Sequence, residues 1–161
     1  MREKIIRQSI SCLQRDGLRF SLDEVAQTLK VSKKTIYKYF ATKEELALAM
    51  YGTFYGEAEE IVGQICGQKT RDSVKQMLTV YSRSHAMVRD EVFNKYALNT
   101  TVRAFAQASH ARMRAQMEEM LPASDRGVLM LILDGACRAL SDAESDTDAD
   151  KVIEKLVGLV C

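Results

Sequence analysis

Between residues 32 and 43 the chain reads Ser32-Lys33-Lys34-Thr35-Ile36-Tyr37-Lys38-Tyr39-Phe40-Ala41-Thr42-Lys43. Four lysines and a row of hydroxyl side chains alternate there with Ile36 and Phe40, four residues apart. On a helix that spacing turns the two apolar side chains inward and leaves the polar ones on the far surface. Ammonium groups and hydroxyls so displayed neutralise phosphates and reach base edges, which is the chemistry of binding a polyanion rather than of bond making. The alternative reading of Lys33, Lys34 and Lys38 is an ordinary solvated face, and of Tyr37 a packing residue. Phe40 and Ile36 are read as core.

Such a surface works only if neighbouring elements hold it. Ser21-Leu22-Asp23-Glu24 reads as a capping box, with Ser21 as N-cap and Glu24 at the third helical position of a helix over about 22–29. A turn at Lys30-Val31-Ser32 follows, and Ser32 can cap a helix of about 33–39. Ala26 is small where the second helix must cross, and Val25, Leu29, Val31 and Ile36 are the apolar wedges. The pair is a helix-turn-helix over about residues 21–40, whose second helix is sized for the DNA major groove. Thr42-Lys43-Glu44-Glu45 is a second capping box, opening a long fourth helix.

The stretch from Ser21 to Ala26, then Val31 to Phe40, then Thr42 to Leu46, resembles the TetR family of transcriptional repressors over about residues 5–50. The features that carry the likeness are the apolar-Ala helix, the Val-Ser turn, the Tyr37, Tyr39-Phe40 ending and the Thr42-Lys43-Glu44 cap. By this resemblance Ser21, Lys33, Lys34, Thr35, Tyr37, Lys38, Tyr39, Thr42 and Lys43 are the expected DNA-binding residues. Lys33, Lys34 and Thr35 would approach bases or phosphates, Tyr37 and Lys38 bases or backbone, and Tyr39 and Lys43 phosphates. One position departs from the pattern. Glycine usually precedes the Val-Ser turn because the backbone adopts positive φ, so Lys30 is expected to tolerate that conformation at about 1 kcal/mol.

The charge distribution agrees. Residues 1–50 hold ten Lys/Arg against six Asp/Glu, whereas the whole 161-residue chain nets only +1. The positive charge is therefore concentrated where a polyanion could use it. One proline, few glycines and no strand-like alternation point to an all-α protein of nine helices. The expected plan is a three-helix DNA-binding domain over 1–46 and a helical effector-binding and dimerisation domain over 47–161. No apolar window is long enough for a membrane span, and Met1-Arg2-Glu3-Lys4 runs into an amphipathic helix rather than a signal-peptide core. Cys12, Cys66, Cys137 and Cys161 lie too far apart for a zinc site or disulfide framework, so free thiols in a cytoplasmic protein are expected. There is no Gly-rich phosphate loop, no Ser-x-x-Lys and no nucleophile elbow, which argues against an enzyme and against a cofactor.

In the rest of the chain Asp16-Gly17 is read as the stop of the first helix, and Gly67 and Gln68 as a break. Further helices are expected over about 71–89, from Val92 to Leu98, from Thr100 or Thr101 to Met120, and over about 126–140 with Ser124-Asp125 as cap. A last helix carries Val152, Ile153, Leu156, Val157 and Val160. The 126–140 helix is apolar nearly all round and must be covered on more than one side. The resemblance implies that it and the last helix pair with a second copy, through Val128, Leu131, Ile132, Gly135, Ala139, Ile153, Leu156 and Val160; a buried monomeric core is the alternative. A palindromic operator would also need two recognition helices about one turn, ~34 Å, apart. Tyr81, His85, Tyr96, Asn99, Arg103, Phe105 and Met113 are the candidate effector pocket, though the same set describes a core edge. The acidic stretch from Asp142 to Asp150 fails the EF-hand pattern, with Thr147 at the sixth position and Ile153 at the twelfth, and is read as a solvated loop with Asp148 or Asp150 near a helix N-terminus. The reading that results is a regulator of double-stranded DNA, a homodimeric repressor released by a small-molecule effector. An effector-independent DNA-binding accessory protein is the alternative.

Overall fold

A computed structural model describes residues 1–16, 20–95, 100–142 and 147–161. Ile5, Ile6, Ser9, Cys12 and Leu13 recur at helical spacing and bury one face of α1 (Arg2–Asp16). The expected helix stop at Gly17 lies outside the described residues. Eight further helices follow among those residues: α2 (Leu22–Thr28), α3 (Lys33–Tyr39), α4 (Lys43–Ile65), α5 (Arg71–Met87), α6 (Asp90–Lys95), α7 (Thr100–Met120), α8 (Arg126–Leu140) and α9 (Ala149–Val160). No strand occurs among the described residues. The all-α expectation holds.

The caps that delimit these helices are mostly the residues expected. The Ser21, Ser32 and Thr42 hydroxyls accept from the amides of Glu24, Thr35 and Glu45, satisfying donors that a helix start leaves unpaired. The reciprocal arms differ from a standard box. Glu24 turns its carboxylate to Arg15, and Glu45 reaches past Thr42 to the Ala41 amide at 2.8 Å. At α8 the expectation fails, since Asp125 makes no side-chain capping bond and its carboxylate accepts from the Ser124 hydroxyl instead. Asp148 does cap α9, accepting from the amides of Asp150 and Lys151. The rest of the acidic stretch, 143–146, is outside the described residues. The short sixth helix starts earlier than the expected Val92, because the Arg89 carbonyl already accepts from Val92 and Phe93.

α5 is the hub. It packs against α1, α4, α7, α8 and α9, and accordingly buries residues nearly all round, including Val74, Met77, Leu78, Val80, Tyr81, Ser84 and Met87. Two tyrosines of α4 are pinned to it. The buried Tyr51 hydroxyl donates to the Met87 carbonyl at 2.6 Å, and the Tyr55 hydroxyl shares a 3.0 Å hydrogen bond with that of Ser84. Burying a phenol without a partner would be costly, so these bonds fix where α4 lies on α5. One continuous apolar core runs from Ile5 in α1 to Val157 in α9, so the helix-turn-helix is not a separate globule hung on a linker.

Candidate nucleic-acid interface

The helix-turn-helix is built from α2, a tight turn and α3. Val25 and Ala26 on α2 and Ile36 on α3 are buried, with Leu22, Leu29 and Val31 packed partly against them. The turn is a Schellman closure: the Lys30 amide bonds the Gln27 carbonyl at 3.0 Å and the Val31 amide bonds the Ala26 carbonyl at 2.9 Å. That closure needs a left-handed residue, and Lys30 has φ 54°, the sole positive φ outside glycine among the described residues.

α3 displays its polar side chains as a single surface. Lys33, Lys34 and Lys38 are exposed, as are Tyr37 and Tyr39, each 41 % exposed. Phe40 closes the core beneath them, with the Arg2 guanidinium 4.7 Å from its ring centre. Thr42 and Lys43 stand exposed at the start of α4 and continue the same polar sequence. Four expected contact residues are already engaged. The Ser21 and Thr42 hydroxyls are used in capping α2 and α4, the Thr35 hydroxyl shares a 2.9 Å bond with Ser32, and Lys33 is paired with Asp23 at 2.9 Å, which raises its ammonium pKa. Lys43 makes no ion pair among the described residues. Arg2 was not anticipated; nothing in its sequence spacing ties it to α3.

Residues 5–50 match the family model for bacterial regulatory proteins of the tetR family. The DNA-binding region of the chain is of the TetR type. It is a DNA-binding transcriptional regulator. An uncharacterized HTH-type transcriptional regulator of Bacillus subtilis (strain 168), YvaF, is 24 % identical over 127 residues, 74 % of this chain and 67 % of the relative. Among solved structures, a TetR-family transcriptional regulator from Bordetella parapertussis 12822 superposes with a TM-score of 0.64 at 21 % identity, covering 99 % of this chain and 93 % of that one. A TetR/AcrR-family regulator from Thermobifida fusca YX-ER1 gives 0.52 at 22 % identity, over 99 % and 95 %. These likenesses extend the TetR fold beyond the helix-turn-helix to the whole chain.

The C-terminal half of the chain holds a polar knot in an otherwise apolar core. Asp134 of α8 accepts from the Tyr81 hydroxyl at 2.5 Å and from Arg114 at 3.1 Å, and Arg114 also pairs with Glu118. His85 and His110 meet edge to face with ring centres 4.7 Å apart, and His110 stacks on Tyr81 at 5.4 Å. The His110 Nδ1 shares a 2.7 Å bond with Ser84, extending the chain of polar contacts to Tyr55. His85 Nε2 is buried without a hydrogen bond, 3.8 Å from Asp134. Burial lowers the pKa of both imidazoles, and His110, further opposed by His85, falls to about 4. A cavity of about 480 Å³ opens beside the pair, with Arg89, Arg138, Ser141 and Asp142 on its walls.

The expected pocket residues therefore separate. Tyr81 and His85 do meet. Met113 is a core residue, 1 % exposed. Phe105 is 39 % exposed, its ring edge-on to Tyr55. Arg103 is drawn away to Asp90 and Asn94 and lies over the Phe93 ring. Tyr96 and Asn99 lie outside the described residues. The residues that complete the knot (Ser84, His110, Arg114, Asp134) come from three helices, so no local spacing announces them.

The expected interface residues also divide. Val128, Leu131 and Ile132 are exposed, Leu131 at 75 %, and Gly135 and Ala139 continue the same open stripe of α8. Ile153 and Leu156 of α9 instead face inward, 4 % and 5 % exposed, and belong to the core of the single chain. Val160 packs partly on that core. The exposed apolar residue of α9 is Leu159, at 54 %. Ile153, Leu156 and Val160 share the face of α9 turned to the core, because that helix packs on α5 and α8.

Of His, Cys, Asp and Glu among the described residues, Cys12, Asp16 and Glu24 are the trio with ligand atoms within 4.8 Å of one another. Arg15 already inserts a guanidinium among them, 2.6 Å from Asp16 and in contact with Glu24. No described helix is long and apolar enough to cross a membrane.

Proposed function

We propose that this TetR-family chain is a homodimeric, cytoplasmic repressor that grips a palindromic operator through Lys33, Lys34, Thr35, Tyr37, Lys38, Tyr39, Thr42 and Lys43, and is released by a small-molecule effector. The single observation behind it is the pairing of a cationic, exposed α3 with an uncovered apolar stripe on α8. A stripe of Val128, Leu131, Ile132, Gly135 and Ala139 left in water would be unfavourable, and its small residues permit a close helix approach by a second copy. Two copies would supply the two recognition helices that a palindrome requires. The working division is residues 1–46 for DNA and 47–161 for dimerisation and effector. The effector's place is the cavity beside His85 and His110, where polar groups converge in a concave site. Binding there shifts the DNA-competent population only by its difference in affinity for the two states. Chemistry on a substrate is not part of this function.

Gel shift against the gene's upstream region tests it. The expected complex is salt-sensitive and palindrome-dependent. Lys43→Ala should weaken binding to every sequence, whereas Thr35→Ala should change preference among sequences. If both variants fold and bind as the parent does, the assigned DNA contacts are wrong.

A further inference from the structure

A second cavity, of about 300 Å³, lies in the DNA-binding half, bounded by side chains of α1, α2, α3, α4 and α6. Its walls are apolar: Leu13, Leu22, Leu46, Met50, Tyr51 and Val92 contribute, and Ala47 leaves room on the α4 side. The Tyr51 hydroxyl is already spent on the Met87 carbonyl, so that wall offers a ring face rather than a hydrogen bond. Polar groups collect at the open side, where the lining includes the exposed Lys33, Tyr37 and Lys43. Lys33 and Asp23 neutralise one another at 2.9 Å. That leaves Lys43 as the cation at the mouth with no ion pair among the described residues, at the first position of a 23-residue helix whose N-terminal end favours an anion.

We infer that this cavity is a second ligand site, taking a monocarboxylate with a single medium-length apolar chain. That apolar chain would displace nothing polar from the walls, and transfer of its surface out of water drives binding. The carboxylate pairs with Lys43 at the rim. Size supports the class, because a cavity of about 300 Å³ is at the small end of ligand sites and excludes large multi-ring molecules. Charge supports it too: a neutral or cationic amphiphile would leave Lys43 unanswered or oppose it. The regulatory corollary rests on the proposed phosphate contact of Lys43. A carboxylate held by Lys43 removes that contact from DNA, so acid and DNA exclude one another directly, without passage through the His85–His110 cavity.

The test uses the full chain with ¹³C-methyl methionine, titrated with decanoate and with 1-decanol, both below aggregation. Decanoate should shift the Met50 methyl saturably while Met113, Met117 and Met130, which do not line this cavity, stay in place. Lys43→Gln should weaken decanoate at least fivefold and leave 1-decanol unchanged. Ala47→Leu, which fills the cavity, should abolish both. Decanoate should also weaken DNA binding competitively. No saturable Met50 shift, or a Lys43→Gln variant that treats acid and alcohol alike, overturns the site. Saturation at Met50 with undiminished DNA affinity overturns the competition. If Lys43→Ala leaves DNA binding intact, the phosphate contact has failed, and the methyl titration still decides the cavity.

Discussion

The Val31 amide donates to the Ala26 carbonyl at 2.9 Å, and this bond closes the helix-turn-helix around Lys30 at φ 54°. A β-carbon in that conformation costs about 1 kcal/mol, while glycine pays a somewhat smaller entropic penalty in the unfolded chain. Lys30→Gly should therefore leave the fold intact and raise the melting temperature by about 1–3 °C. A clear loss of stability by calorimetry would mean that the lysine side chain contributes something the turn geometry does not reveal.

Asp23 holds Lys33 at 2.9 Å beside the recognition surface. Any phosphate that uses Lys33 must break this exposed pair, which water and salt screen and which is therefore weak. Asp23→Asn should tighten binding to all DNA sequences several-fold and steepen the dependence on salt, since one more cation is free to replace counterions. Fluorescence anisotropy at several salt concentrations measures both; weaker binding by the variant would exclude Lys33 from the interface.

Tyr81 and Asp134 join α5 to α8 at 2.5 Å, with Arg114 on the other carboxylate oxygen. Tyr81→Phe should cost about 1–3 kcal/mol, because it leaves a half-buried carboxylate short of one donor. In urea the midpoint should fall with an unchanged slope. A midpoint equal to the parent's would show that water replaces the hydroxyl without loss.

His110 gives stability a pH dependence of definite sign. Its folded pKa is pulled from the ordinary 6.5 down to about 4 by burial and then by His85, with Asp134 opposing and Arg114 adding to the fall. The unfolded chain takes up a proton near 6.5 and the folded chain does not until about 4. Stability is thus fully present above the upper value and declines as pH drops through that window. His110→Gln should flatten part of the decline in melting temperature between pH 7.5 and pH 5. His85, also lowered, should leave some of it. An identical slope in parent and variant would mean that the ring is hydrated in the folded protein.

Leu131 is three-quarters exposed at the centre of the α8 stripe. Leu131→Arg should give a monomer in sedimentation, with helicity retained, because the arginine stays in water in the single chain. An unchanged dimer would put the interface elsewhere.

The DNA-binding half was legible because its rules are local. Ser21, Ser32 and Thr42 cap by hydrogen bonds three residues long, and Lys30 betrayed its φ by standing where a glycine belongs. The polar knot was not legible, since Ser84, His110 and Asp134 are brought together only by the packing of α5, α7 and α8. The α9 error has the same origin: the periodicity of Ile153 and Leu156 says that one face is covered, and only α5 and α8 decide by what.

The two tyrosine anchors give α4 a mechanical character. At 23 residues it is a rod of ~34 Å, held at Tyr51 and Tyr55 and carrying Lys43 two turns beyond the nearer anchor. The two bonds sit one turn apart and so lock the rod's rotation and register against α5, while buried residues from Leu46 to Ile65 seat its length in the core. Tyr55 also reaches His110 through Ser84, so Tyr55→Phe cuts the rod loose from the polar contacts beside the proposed effector cavity.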